Sequence, residues 1–172
     1  MKDATKKSEF QEKLDAVKKA FEAKKSELER LIETAGNIDM SGMTDVSADR
    51  LAQEEIEADQ ILNKPNLSQD DIETAITELQ AAIDGLRTDK QPLIDVISLH
   101  DNQEDYIKNN EDVKKALEDV VNANNESNPS VQDVKDKVKA LEEAMQKAID
   151  EETARQLKAK EALELAEKNY RR

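Results

Sequence analysis

The sequence predicts an all-α protein of tandem antiparallel three-helix coiled-coil bundles, joined by continuous helices into an elongated rod. Apolar residues recur at alternating steps of four and three along several stretches, which indicates helices that bury a narrow stripe against partner helices. The pattern also repeats along the chain. Only three Gly and three Pro occur in 172 residues, so few turns interrupt the helices.

The repeat is the most specific of these signals. Residues 66–83 (NLSQDDIETAITELQAAI) and 128–145 (NPSVQDVKDKVKALEEAM) align without a gap at an offset of 62, which places Ile72 on Val134 and Leu79 on Leu141. Apolar character is kept more often than identity, as expected for a repeated structural unit. The same offset carries Ile72, Ile76, Leu79 and Ile83 back onto Phe10, Leu14, Val17 and Phe21.

This offset divides the chain into four parts. We assign residues 1–25 to the last helix of a preceding truncated copy and 26–88 to a first three-helix module. Residues 89–150 form a second module, and 151–172 a helical extension into a following copy. The expected helices lie at about 26–38, 47–63 and from 69, and again at about 90–100, 109–125 and from 131.

Local signals mark where these helices begin. Ser68 with Asp71, and Ser130 with Asp133, form capping-box patterns at the start of each third helix. Ser47 is expected to cap the second helix of the first module. Three positions of the apolar stripe hold polar residues, so we expect weak packing there: Glu55, Asn110 and Asn124.

The stripe also predicts how the modules join. It crosses from the third helix of one copy into the first helix of the next without losing phase, so we expect the two helices to be continuous. Residues 3–38 then form one helix of about 50 Å. At the central junction, Gly85 and Pro92 predict a bend or a short break, because Pro lacks an amide proton and crowds the preceding turn.

Composition excludes several partners. The net charge of −14 argues against binding nucleic acid or an anionic lipid surface. No apolar run is long enough to span a bilayer, so we expect no membrane insertion by this fragment. Cys is absent, which removes disulfides, thiolate metal sites and Cys nucleophiles.

No constellation for chemistry stands out, so the sequence predicts no catalytic, cofactor-binding or metal-binding residue. His100 is the only His, and we expect a structural or solvent-exposed role for it. Residues 101–105 have part of the spacing of a calcium loop, but Tyr106 stands where Gly is needed and Asp112 replaces the final Glu. Tyr106 and Tyr170 are candidates for partner contact, although a half-packed Tyr is commoner.

Two stretches resemble a known bacterial module. LERLIETAGNID at 28–39 and NKPNLSQDDIETAITELQAAIDGL at 63–86 are similar to the FIVAR module, a three-helix unit of array proteins on bacterial surfaces. The stretch NESNPSVQDVKDKVKALEEAMQKAI at 125–149 resembles it more weakly. Both copies lack the large aromatic usual early in the second helix, where Ala48 and Asn110 stand.

The resemblance implies a non-enzymatic, extracellular surface adhesin that binds a host-cell receptor or matrix component through the side of the rod. The signal peptide and anchor would lie outside this fragment. The alternatives are a passive stalk that presents a distal binding domain and a spectrin-like intracellular scaffold. The composition, rich in Lys, Asn and Asp and free of Cys and Trp, is similar to that of mycoplasma surface lipoproteins. Because the terminal helices lack their partners, we also expect self-association through these overhanging ends.

Overall fold

The structure is a computed structural model that describes residues 2–171, with side chains from residue 6 to residue 171. The described residues form seven helices and no strand, which confirms the all-α prediction. The helices are α1 (Lys2–Gly36), α2 (Asp45–Leu62), α3 (Gln69–Asp84), α4 (Gln91–Asp101), α5 (Asp105–Lys108), α6 (Glu111–Asn125) and α7 (Val131–Tyr170). They belong to two units, the first ending at Arg87 and the second beginning at Thr88. That the second unit repeats the first stays a prediction.

In the first unit, α1, α2 and α3 pack around a thin aliphatic core. Burying one Leu or Ile side chain stabilises the folded state by about 1.5–3 kcal/mol, so a few such residues hold three helices together. The stripe positions Leu28, Ile72 and Leu79 have no exposed surface. The buried residues of this core are Leu28, Ala35, Leu51, Ala58, Ile72, Ala75, Leu79 and Ala82.

The second unit has the same kind of core, built by α4, α6 and α7. It also contains α5, a single turn that sequence patterning did not reveal. Ile107 of α5 is buried and anchors this turn on the core. The buried residues of this core are Leu93, Val96, Ile107, Val113, Val120, Ala123, Val134, Leu141, Met145 and Ala148.

Two helices run without a break across predicted module boundaries. Helix α1 is continuous from Lys2 to Gly36, and α7 is continuous from Val131 to Tyr170. Each therefore has one half in a core and one half outside it. Both continuous helices were predicted from the unbroken phase of the apolar stripe.

The predicted interruption at the centre of the chain is also present. Helix α3 ends at Asp84 and α4 begins at Gln91. Pro92 lies in the first turn of α4, where a missing amide proton costs nothing because that amide would have no helical partner. Arg30 stands 62 residues before Pro92, and α1 stays continuous there.

Ser47 does not cap α2, and that prediction is wrong. Thr44 precedes the helix as N-cap without a side-chain capping bond. Ser47 is buried in the first turn, where its Oγ accepts a hydrogen bond of 3.1 Å from the backbone amide of Arg87. The amide of Thr44 donates to the carbonyl oxygen of Arg87 at 2.8 Å. These two hydrogen bonds therefore join the start of α2 to the segment that follows α3.

Both predicted Ser N-caps form at the third helices, and the full capping box forms at α3. Ser68 and Asp71 make both bonds of the capping box at α3. Ser130 Oγ accepts from the amide of Asp133 at 3.0 Å at the start of α7. Asn110 lies outside the apolar stripe, because it is the N-cap of α6 and its Oδ1 accepts from the amides of Asp112 and Val113. It is a capping residue, so the weak point predicted there is absent.

Replacing Leu79 by Ala should lower the free energy of unfolding by about 3 kcal/mol. The side chain has no exposed surface, so truncation loses its burial and leaves a cavity. Glu78→Ala, a change at the neighbouring exposed position, should shift it by less than about 0.5 kcal/mol. Urea unfolding followed by circular dichroism measures both, and equal midpoints for the two variants would contradict a core centred on Leu79.

Candidate functional site

His100 lies at the end of α4, and its whole residue is only 6% exposed. Its Nδ1 is 3.1 Å from Oδ1 of Asp101, a residue whose own carboxylate reaches solvent. Its Nε2 is buried and has no hydrogen-bond partner among the described residues. The structure thus buries His100 at the end of α4, 62 residues after Ile38 of the first unit.

His100→Ile should raise the free energy of unfolding by about 1 kcal/mol, because it removes an unsatisfied buried nitrogen and keeps the site filled. Ile38→His, the reverse change in the first unit, should be destabilising. Thermal unfolding of the two variants beside the parent chain measures both effects. A lower melting temperature for His100→Ile would show that the imidazole makes a favourable contact there.

An open groove of about 350 Å³ lies on the second unit between α5 and α7. Tyr106 of α5 lines one side, and Glu151, Glu152 and Arg155 of α7 line the other. Two neighbours in the chain position Tyr106. Ile107 beside it is buried, and Asn110 caps the start of α6. Tyr106 directly follows residues 101–105, the polar stretch that has only part of the spacing of a calcium loop.

Charge in this groove is organised around Glu152. Its side chain is only 17% exposed and forms an ion pair with Arg155. A hydrogen bond from Gln156 lowers the pKa of Glu152, and the bond from Arg155 lowers it further. These two bonds keep the carboxylate of Glu152 ionised and fixed in position. Glu151 has an exposed carboxylate at the rim of the groove.

Of the two tyrosines that the sequence singled out, one lies in this groove. Tyr106 is 39% exposed, which suits a ring that rests on its own unit and presents one face. Tyr170 is 93% exposed at the end of α7. The carboxylates of α7 were not singled out from the sequence, because close pairs of acidic residues arise by chance in a chain that has forty of them.

A second polar cluster surrounds the start of α3 in the first unit. Asp71 accepts hydrogen bonds from Lys64 Nζ at 2.8 Å and from Ser68 Oγ at 2.6 Å. The backbone amide of Ser68 donates to the same carboxylate at 3.0 Å. Together these donors lower the pKa of Asp71 to about 2, with the bond from Lys64 the largest cause. Their arrangement is that of a helix cap.

The first unit should lose stability as the pH falls from about 4 to about 2. The unfolded chain takes up a proton at the ordinary pKa of Asp71, whereas the folded chain resists it until about pH 2. Asp71→Asn should make this pH dependence shallower, and Asp70→Asn is the matched control one residue away. Denaturant unfolding at stepwise pH measures it, and equal slopes for both variants would contradict the assignment.

The described residues contain no group of three or more His, Cys, Asp or Glu side chains arranged to hold a metal ion. None of the helices between residues 2 and 171 is long and apolar enough to cross a membrane. The fold is that of a helical-bundle module with solvated helix faces, and the groove beside Tyr106 is one of several open grooves on them.

Residues 24–87 match the FIVAR domain family. This range covers the packed half of α1 together with α2 and α3, so the first unit contains a FIVAR-like module. FIVAR domains are non-catalytic modules found in bacterial surface and extracellular proteins. Comparison with curated proteins and with solved structures gave no match.

Proposed function

We propose that this chain is a non-enzymatic fragment of a bacterial surface adhesin, which attaches to a host-cell receptor or matrix component through a repetitive helical rod. The observation that carries the proposal is the FIVAR match at residues 24–87, since that module occurs in surface and extracellular proteins. The 62-residue repeat supports it, because repeated modules multiply one weak contact into a strong attachment.

The source that fits the composition best is a mycoplasma surface lipoprotein. The chain has no Cys and no Trp and is rich in Lys, Asn and Asp, as such lipoproteins are. Among such lipoproteins, we propose the variable adherence-associated antigen of Mycoplasma hominis as the parent protein. In this proposal the lipid anchor and the export signal belong to segments outside residues 1–172.

We assign the receptor contact to the groove beside Tyr106. A tyrosine that is half exposed on a rigid turn offers a large contact area at little entropic cost. The neighbouring ion pair of Glu152 and Arg155 supplies both a carboxylate and a guanidinium to a polar partner. The carboxylate of Glu151 adds a second anionic group at the rim.

A passive stalk is the second candidate, and the solvated outer faces of both units favour it. Along α7, every described residue from 153 to 171 is exposed, and most of them are charged or small. A stalk needs only solubility and length, so it would use no particular surface. Binding by the isolated chain therefore separates the two functions.

The test is saturable binding of the purified chain to cultured epithelial cells. The control is a three-helix rod of equal net charge whose surface residues are scrambled, because it reports nonspecific electrostatic attachment. Binding above this control supports the adhesin. Binding no greater than the control would leave the stalk and move the search for the adhesive site to other segments.

Tyr106→Ala should weaken cell binding by about ten-fold or more, which is typical of losing an aromatic anchor. Tyr170→Ala is the matched control, because it removes the same side chain from an exposed helix end. Both variants should keep the helical circular dichroism of the parent chain. Equal binding by Tyr106→Ala and the parent would place the contact elsewhere on the two units.

A further inference from the structure

The groove beside Tyr106 combines an aromatic ring with carboxylates. Tyr106 is half-buried on one side of the groove, and Glu151 and Glu152 of α7 lie on the other side. Three other open grooves on the described residues are lined by no aromatic side chain. A cation is attracted by both kinds of group, because the face of an aromatic ring carries partial negative charge and a carboxylate carries a full one.

The excess negative charge of the second unit lies on the two segments that flank this groove. Residues 101–112, which include α5, contain five acidic residues and one Lys, and residues 148–155 of α7 contain three acidic residues and one Arg. The rest of the unit that begins at Thr88 contains twelve acidic and twelve basic residues. All five acidic residues in the first segment are exposed. A positively charged group is therefore attracted to this side of the unit more than to its other surfaces.

Three carboxylates next to the groove share two cations. Lys147 Nζ is 2.6 Å from Oδ2 of Asp112 but 3.9 Å from Oε1 of Glu151, so it is held mainly by Asp112. Arg155 forms its ion pair with Glu152. Glu151 is therefore the least compensated carboxylate of the three, and its side chain is 58% exposed.

We propose that this groove binds an arginine side chain from a basic segment of a polypeptide partner, with the guanidinium against the ring of Tyr106 and bonded to Glu151. The inference rests on the proposed receptor contact at the groove, and it names the chemistry of that receptor. A guanidinium suits the groove because it is planar, stacks on an aromatic ring and donates two parallel hydrogen bonds to one carboxylate.

An acidic partner bound through Arg155 is the competing occupant, because the guanidinium of Arg155 is largely exposed. The arrangement of charge disfavours it. Arg155 is already paired with Glu152, and an acidic partner beside it would meet Glu151 and the exposed acidic residues of 101–112. Like charges brought together at an interface repel each other and suppress binding of that partner.

The experiment is isothermal titration calorimetry of the whole chain with a blocked hexapeptide of alternating arginine and glycine. The same peptide with glutamate in place of arginine is the anionic probe. We expect saturable binding of the arginine peptide and no binding of the glutamate peptide. Tyr106→Ala should weaken binding of the arginine peptide by about five-fold or more, because it removes the cation–π contact. Tyr170→Ala should leave it unchanged.

Glu151→Gln should weaken binding of the arginine peptide by about three-fold, as expected for the loss of one exposed charge pair. Glu143→Gln is the matched control. It makes the same change in net charge on the same helix, and each of these Glu residues lies four positions after a Lys with which it forms an ion pair. All four substituted positions are exposed, so the circular dichroism of every variant should match that of the parent chain.

Equal effects of Glu151→Gln and Glu143→Gln would overturn the proposal, because binding would then follow net charge and not the groove. Binding of the glutamate peptide in preference to the arginine peptide would also overturn it. The titration contains no cells, so it separates this inference from the proposed function. A chain that attaches to cells but does not bind the arginine peptide keeps the adhesin function and loses the inference. A chain that binds the peptide as expected but does not attach to cells keeps the cation-binding groove and loses the adhesin function.

Discussion

The structure depends on the burial of a narrow aliphatic stripe on each helix between two neighbouring helices. Only 2% of the chain is aromatic, and among the described residues the buried hydrophobic side chains are aliphatic or Met. Leu, Ile, Val and Ala must meet at close range, and Leu28, Leu51 and Leu79 reach full burial in the first unit by doing so. Helices α1 and α7 extend beyond the helices that pack against them, and their side chains there are exposed to solvent.

This constraint explains how much of the fold the sequence could predict. The steps of four and three give the helix faces directly, and the caps at Ser68 and Ser130 mark helix starts because a side chain there must satisfy a free amide. The start of α2 could not be placed in this way. Ser47 looks like a cap in the sequence, yet its hydroxyl is used by Arg87, forty residues away. Only the tertiary contact shows that Ser47 accepts the amide of Arg87 and is not the cap of α2.

The candidate site was less predictable than the fold. Tyr106 could be singled out as an aromatic in a polar loop, but its groove depends on the turn α5, which is too short to produce a periodic pattern. Ile107 reads as one apolar residue among polar ones until its burial is seen. Likewise, Asn110 stands at a position that the stripe pattern expected to be apolar, and only its extended backbone shows that it precedes α6 as the N-cap. Local contacts of this kind leave no regular mark in a sequence.

The net charge of the chain does not describe where individual charges lie on its helices. The whole chain is strongly acidic, yet Lys6, Lys13 and Lys18 share the side of α1 that carries its apolar residues. In the second unit a lysine is used differently: Lys147 bonds to Asp112 at 2.6 Å, which raises the pKa of that lysine and joins α7 to α6. Lys137 and Lys147 of α7 are thus each matched by a carboxylate of α6. The lysines between residues 6 and 20 of α1 form no such bond with a neighbouring helix of the described chain.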